Sequence, residues 1–357
     1  NNTDGIEANS GSQPTITGNT FTDNTRPVSI YANRIDSTIY GNTYSGNTKD
    51  YIEVQGDYIE DDRTIVWALD NSPYVVVGDV YVQRNNNSSQ LSTLQIASGT
   101  TVKFNSSVDL FIGHESSSSY KGALTATGVT FTSLDSTGWP GIDFYSQAYD
   151  ASCLLDSCTI ENATDGIYCE SSNPTITNST IQNNTDGIEA NSGSQPTITG
   201  NTFLNNNYGL KIYNSNNDYS IGGNVNNKNW FKNNESYSVY NYDSGDSLDA
   251  TYIHWGSKSG PYHATNIHGK GDAVGGLVDF SNWISLPAVD SLSVSASLFG
   301  PVLAWPAVDT SAIVKYYIFR SADSTTSELH DSTVSTELTH TDIYALRDQT
   351  YYYRVAG

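Results

Sequence analysis

Carboxylates recur at a fixed spacing in this chain, and converging carboxylates are the groups that give it the widest chemical scope. Asp165-Gly-Ile167 and Asp186-Gly-Ile188 lie 21 residues apart, and Asn184-Thr-Asp-Gly-Ile188 has a twin at Asn2 to Ile6. Paired carboxyl groups can protonate a glycosidic oxygen and activate water, or supply hard oxygen ligands to Ca2+. Asp165 and Asp186 are therefore the candidate metal ligands, and no cofactor other than Ca2+ is expected. Repetition argues against catalysis, because a catalytic site is unique while this motif returns with every unit. The residues read more simply as turn positions, each Asp accepting backbone hydrogen bonds ahead of a glycine. His254, His263 and His268 form a loose group without metal-ligand spacing, and no Gly-x-Ser-x-Gly nucleophile occurs. Of 25 tyrosines, Tyr31 and Tyr213 are the candidate platforms for sugar rings.

The elements that must position these side chains are set by a repeat. Asn173-Pro-Thr-Ile-Thr-Asn-Ser-Thr-Ile181 aligns with Gln195-Pro-Thr-Ile-Thr-Gly-Asn-Thr-Phe203 at a shift of 22, and Pro14 to Phe21 aligns with Ser37 to Tyr44 at a shift of 23. A unit this short, holding strands of three to five residues between Gly and Asn, cannot bury its apolar side chains alone. If each unit makes one coil, parallel pairing with the coils on either side stacks like on like at about 4.8 Å. Three dry columns follow: Ile160, Ile181 and Phe203; Leu155, Ile176 and Ile198; Ile167, Ile188 and Leu210. Asn162, Asn183 and Asn205 fall at equivalent bends, where Asn tolerates the left-handed conformation and stacked amides can hydrogen-bond along the column. Thr175/Thr177 and Thr197/Thr199 would form an outward threonine ladder over two coils only, which suits exposed strands and is too short for a regular ice-matching array.

Composition agrees and excludes several classes. Charged residues make up only 15%, and Asn, Ser, Thr, Gly and Tyr take their place; β-branched and aromatic residues favour strands while Asn and Gly favour turns. A formal net charge of −22 offers no basic stripe to displace phosphate counterions, so nucleic acid is not an expected partner. No apolar run is long enough for a membrane helix. Cys153, Cys158 and Cys169 are too few for a disulfide scaffold and read as buried thiols. With no methionine, the chain reads as a fragment of a longer polypeptide.

Residues Leu94 to Phe104, Gly122 to Ser133 and Trp139 to Ile142 resemble secreted microbial right-handed parallel β-helix proteins of the pectate-lyase-like superfamily. His254 to Pro261 and Gly271 to Trp283 resemble the segment that caps the coil stack there. The resemblance covers residues 1–284 and implies an all-β chain wound as a right-handed parallel β-helix. Asn184-Thr-Asp resembles the Asn-Thr-Asp motif of polygalacturonases, but their Gly-His-Gly and Arg-x-Lys elements are absent and Asp61-Asp62 sits at a module joint. Pectate lyases imply Ca2+ and a proton-abstracting arginine, and no arginine falls within residues 150–215.

Asn1 to Phe21 is identical to Asn183 to Phe203, more than stacking requires, which points to a duplicated module in a tandem array. The expected division is 1–62, terminal coils of one β-helix module; 63–284, a second module with its cap; and 285–357, a small β-sandwich. The last resembles a fibronectin type III domain without its final strand, with Trp305 as core tryptophan. The function expected is a non-enzymatic extracellular structural or adhesive protein of a prokaryote, contacting polysaccharide or neighbouring copies of its parent. The alternatives are a polysaccharide lyase, epimerase or hydrolase on the same fold, and a plain carbohydrate-binding module. The sequons at Asn86, Asn105, Asn162, Asn178, Asn183 and Asn234 are what an Asn-rich chain produces by chance.

Overall fold

Short runs such as Thr-Ile-Thr and Thr-Phe-Leu alternate inward and outward side chains, and an Asn or Gly bend after each turns the chain toward the next face. The computed structural model describes residues 1–357 except 10, 61–62, 84–90, 117–119, 214–218, 223–228, 258, 285–291, 298–299, 306–314, 322–327, 335–336, 344, 346–349 and 357. Residues Asn1–Ile284 form one unit and Ser285–Gly357 another. In the first unit three parallel sheets run along the stack. The first has ten strands, from Asp4–Ala8 to Trp230–Lys232. The second also has ten, beginning at Asp57–Ile59, and the third has six, from Thr64–Trp67 to Thr197–Thr199.

One coil per repeat unit is what the register shows. Ile160 pairs with Ile181 and Ile181 with Phe203; Leu155 pairs with Ile176 and Ile176 with Ile198; Ile167, Ile188 and Leu210 follow one another in the second sheet. All nine side chains are buried in a single core that runs from Ala8 to Val274. Each fully buried aliphatic side chain contributes about 1.5–3 kcal/mol relative to exposure. The column is therefore held by many modest gains that are large only together. The threonine ladder forms with the expected partners, Thr175 on Thr197 and Thr177 on Thr199. Cys153, Cys158 and Cys169 are buried free thiols.

Two details depart from the sequence reading. Asn162, Asn183 and Asn205 do adopt the left-handed conformation at the bends (φ 61°, 56° and 56°), but the side chains that hydrogen-bond along the stack are those one residue later. The amide N–H and the Nδ2 of Asn184 both donate to Oδ1 of Asn206, and those of Asn206 donate to Oδ1 of Asn234. Asn234 ends the run by donating to the Asp272 carboxylate. The bend residue points outward, so the buried acceptor has to be its successor. The second departure concerns the Asp-Gly-Ile marker, which opens a strand instead of a turn: Asp186 begins the strand Asp186–Asn191. Gly187 is required there by proximity, since a Cβ on it would lie 2.4 Å from the carbonyl oxygen of Gly209.

A boundary between two β-helix modules is expected near residue 62. The ladders cross it without a gap, because Ile52–Gln55 pairs with Arg26–Tyr31 on one side and Tyr74–Val76 on the other. Yet Asp4–Ala8 belongs to the first sheet, while the identical residues at Asp186–Asn191 belong to the second. Asp61 and Asp62 lie outside the described residues. Toward the far end, Gly271–Gly276 adds a further rung on Tyr237–Asn241, and Val278–Asp279 pairs with Leu248–Asp249.

The second unit holds two three-stranded antiparallel sheets. Trp305, Leu303, Tyr316, Ile318 and Val355 form its core. The fully buried carboxylate of Asp342 accepts from Arg320 and from the Tyr353 hydroxyl.

The asparagine run gives a direct test. Replacing Asn206 by Ala strands buried donors on Asn184 and should cost about 1–3 kcal/mol. Asn205→Gly, at an exposed left-handed position, should stay within about 0.5 kcal/mol. Urea unfolding followed by tryptophan fluorescence separates the two.

Candidate functional site

The outward face of the second sheet carries the groups that can do chemistry. The period that stacks the core also stacks this face. Its residues run in one file as Tyr58, Tyr81, Phe111, Asp143, Tyr168, Glu189, Lys211 and Tyr240, each paired with the next. Beside it runs a second file, Gly141, Asp165, Asp186, Tyr208 and Tyr237. Aromatic rings therefore occupy both ends of the first file, and Asp143, Tyr168, Glu189 and Lys211 fill the middle.

Single oxygens of Asp165, Asp186 and Glu189 all lie within 4.8 Å of one another. The Lys211 ammonium is bonded to Oδ2 of Asp186 and lies 3.8 Å from Glu189. Its other side rests on the Tyr208 ring, 4.5 Å from the centroid. Asp186 is only 5% exposed, and its carboxylate lies in hydrogen-bonding contact with the Asp165 carboxyl as well as with Lys211. Burial, then the neighbouring charges of Asp186 and Glu189, raise the Asp165 carboxyl above its ordinary range. Burial, then the charges of Asp109 and Asp165, push Asp143 up to about 7. Asp109 is pushed up to about 6 by burial and by Asp79. Burial works against the charge on Lys211, but its bond to Asp186 and the two acidic charges outweigh that and raise it. The face is acidic beyond what one ammonium neutralises, and it responds by holding protons.

Ca2+ asks for six to eight oxygen ligands, drawn from carboxylates, carbonyls and water. Three carboxylates converge here, but the Lys211 ammonium already supplies positive charge to two of them. As arranged, Asp165, Asp186 and Glu189 do not fit a Ca2+ ion. Neither Asp165 nor Asp186 is a solvated turn residue: both stand in strands, and Asp186 is buried. Tyr31 ends a strand of the first sheet, paired with Gln55, whereas Tyr213 follows a strand of the second, so the two candidate platforms are not brought together. Tyr213 stacks on Tyr242 at 4.4 Å and 7°, which covers one of its faces. His254 packs against Trp230 at 4.1 Å, and His263 bonds to Thr265.

Ring geometry decides where a sugar could stack. Tyr58, Tyr81 and Phe111 lie face to face at 4.7 and 4.8 Å, so inner rings cover one another's faces and turn edges outward. Tyr168 meets Tyr145 edge-on at 72°, while Tyr208 has the Lys211 ammonium against its ring and stacks on Tyr237 at 5.8 Å. Tyr168 and Tyr208 bracket the carboxylates. Next to them, along the bend after the first sheet, runs a polar groove of about 740 Å³ lined by Asn162, Asn183, Asn205, Thr164 and Thr185.

The sequence reading missed Asp143, Tyr168, Glu189, Lys211 and Tyr208 as site residues. The signal was present: Glu189 and Lys211 are one 22-residue step apart and Tyr168 is one 21-residue step before Glu189, so the outward files follow from the same arithmetic as the core columns.

Residues 112–254 match the family model described as "Right handed beta helix region". That match and the stacked parallel sheets define the fold as a right-handed parallel β-helix. No curated protein matches the chain significantly, and neither does any solved structure.

Two outcomes are expected. Asp143 holds a proton up to about 7 in the folded chain but only to about 4 when unfolded. Its ionisation therefore lowers stability progressively as pH rises through that window and leaves it flat above. Asp143→Asn should raise Tm by a few degrees at pH 8 and leave it unchanged at pH 4, measured by thermal scans. Millimolar Ca2+ or its removal by EDTA should leave Tm unchanged, because Lys211 holds the position a cation would take.

Proposed function

We propose that this β-helix is a non-enzymatic, extracellular or surface-borne rod of a prokaryotic protein that binds polysaccharide along the outward face of its second sheet. The observation that carries the reading is the pair of outward files, in which Tyr168 and Tyr208 bracket a cluster of polar and acidic groups beside a groove lined by amides and hydroxyls. Aromatic faces pack on the apolar side of a ring while hydroxyl-rich edges find acceptors and amide donors, a division that suits sugars. Lys211 favours binding over turnover, because it ties the Asp186 carboxylate into an ion pair. The antiparallel second unit, read as a fibronectin-like spacer on the strength of Trp305 and its two sheets, and the tandem-array parent belong to the same proposal.

A polysaccharide-active enzyme is the second reading, favoured by one observation: Asp143 stays protonated to about 7, as a general acid requires. Glycan-array binding followed by titration separates the two. Binding should weaken about tenfold in Tyr208→Ala, a loss of about 1.4 kcal/mol, with no reducing ends or unsaturated products released. Robust product formation, or a Tyr208→Ala chain that binds as well as the parent, would overturn the proposal.

A further inference from the structure

We infer that the Lys211 amine and the Asp186 carboxyl join in an intramolecular amide that ties two adjacent coils together covalently, independently of any glycan binding. Lys211 stands in the strand Tyr208–Ile212 and Asp186 in Asp186–Asn191, which are neighbours in the second sheet. The ammonium is bonded to Oδ2 of Asp186. Both groups are shielded: Asp186 is buried, the Lys211 side chain is 15% exposed, and the Tyr208 ring lies 4.5 Å from its nitrogen. Groups held in contact on a rigid sheet react as if at concentrations far above any reached in solution. A site poor in water also protects the product from hydrolysis.

The second ground is what surrounds the pair. Amide formation must take protons from the nitrogen and deliver them to the departing oxygen, and a carboxyl group stands ready for each task. Glu189, whose carboxylate is 3.8 Å from the Lys211 nitrogen, accepts the ammonium proton. Asp165, kept protonated above its ordinary range by burial and by the charges of Asp186 and Glu189, is in hydrogen-bonding contact with Asp186 and lends its proton to that carboxylate. The amine lone pair then forms the C–N bond at Cγ of Asp186, the Cγ–O bond breaks, and the oxygen leaves as water. In the balance two hydrogens pass from nitrogen to that water, Glu189 and Asp165 end as they began, and nothing is oxidised or reduced. The duplicated segment supplies a contrast. Asp4, the counterpart of Asp186 in the identical run, bonds to Arg26 through Nε and Nη2. A guanidinium keeps its charge and offers no free amine, so one cross-link is expected and not two.

The test weighs the full chain by intact-mass spectrometry after it has stood folded overnight at pH 7. The parent should be lighter than its sequence by one water. Denaturing it and cleaving after glutamate, which cuts at Glu189 between the two residues, should leave residues 171–189 joined to 190–235. Lys211→Arg, which keeps the charge, should have its full mass. In Glu189→Gln the loss should develop at least about tenfold more slowly after refolding; an equal rate overturns the role given to Glu189. A parent of full sequence mass means an ion pair only and overturns the inference. So does a water loss that survives in Lys211→Arg, because a succinimide at Asp186-Gly187 would then be its source. The joined peptides of the parent decide the matter even where a variant fails to fold.

Discussion

Everything in the first unit depends on one requirement: after each coil, which takes from 21 residues between Ile160 and Ile181 to 32 between Leu110 and Ile142, the chain must return to the same angular position, one strand spacing further along. Parallel pairing enforces it, because a slip of one residue would turn every inward side chain outward. Once the register holds, identical positions of successive coils become neighbours, and a sequence pattern becomes a spatial file. The dry columns, the asparagine run, the glycines that admit a neighbouring carbonyl and the outward file from Tyr58 to Tyr240 are four readouts of that single constraint. Polar groups at the bends are tolerated in this interior because a counterpart stands one coil away. The ladder of Asn184, Asn206 and Asn234 satisfies donors that would otherwise be orphaned there.

How much of this was legible follows from the same logic. The core columns could be read residue by residue, because Ile, Leu and Phe at matching places have one physical explanation. The bends at Asn162, Asn183 and Asn205 were equally legible, since few residues tolerate that backbone. The hydrogen-bonding asparagine was misplaced by one, because sequence does not reveal which member of an Asn-Asn pair faces inward. The Asp-Gly marker was taken for a turn because Gly serves two purposes, positive φ and close approach, and only neighbouring backbone tells them apart. The site was the least legible part. Asp143, Glu189 and Lys211 look like ordinary surface residues until the coil period places them beside Asp165 and Asp186.

The carboxylate cluster and the tyrosines illustrate how a repeating scaffold acquires a unique place. Stacking multiplies a feature, yet the outward file is not uniform: rings give way to Asp143, Glu189 and Lys211, with Tyr168 among them, and then rings return. Gly141 interrupts the neighbouring file where the strand pairing shifts between Gly141 and Ile142. Local identity thus comes from breaking the repeat on the wet side while keeping it on the dry side, where Ile142, Ile167, Ile188 and Leu210 continue without exception.

The asparagine run also has a sense of direction. Asn24 donates to Asn47, which donates to Asp50; Asn19 donates to Asn42, which donates to Asp70; Asn234 donates to Asp272. In each case amide dipoles point one way and a carboxylate, which only accepts, closes the series. A new turn of chain can join at the opposite end simply by offering its own N–H, but at the carboxylate end it must first replace the terminating acid. Lengthening such a protein by recombination is therefore easier from one side than from the other.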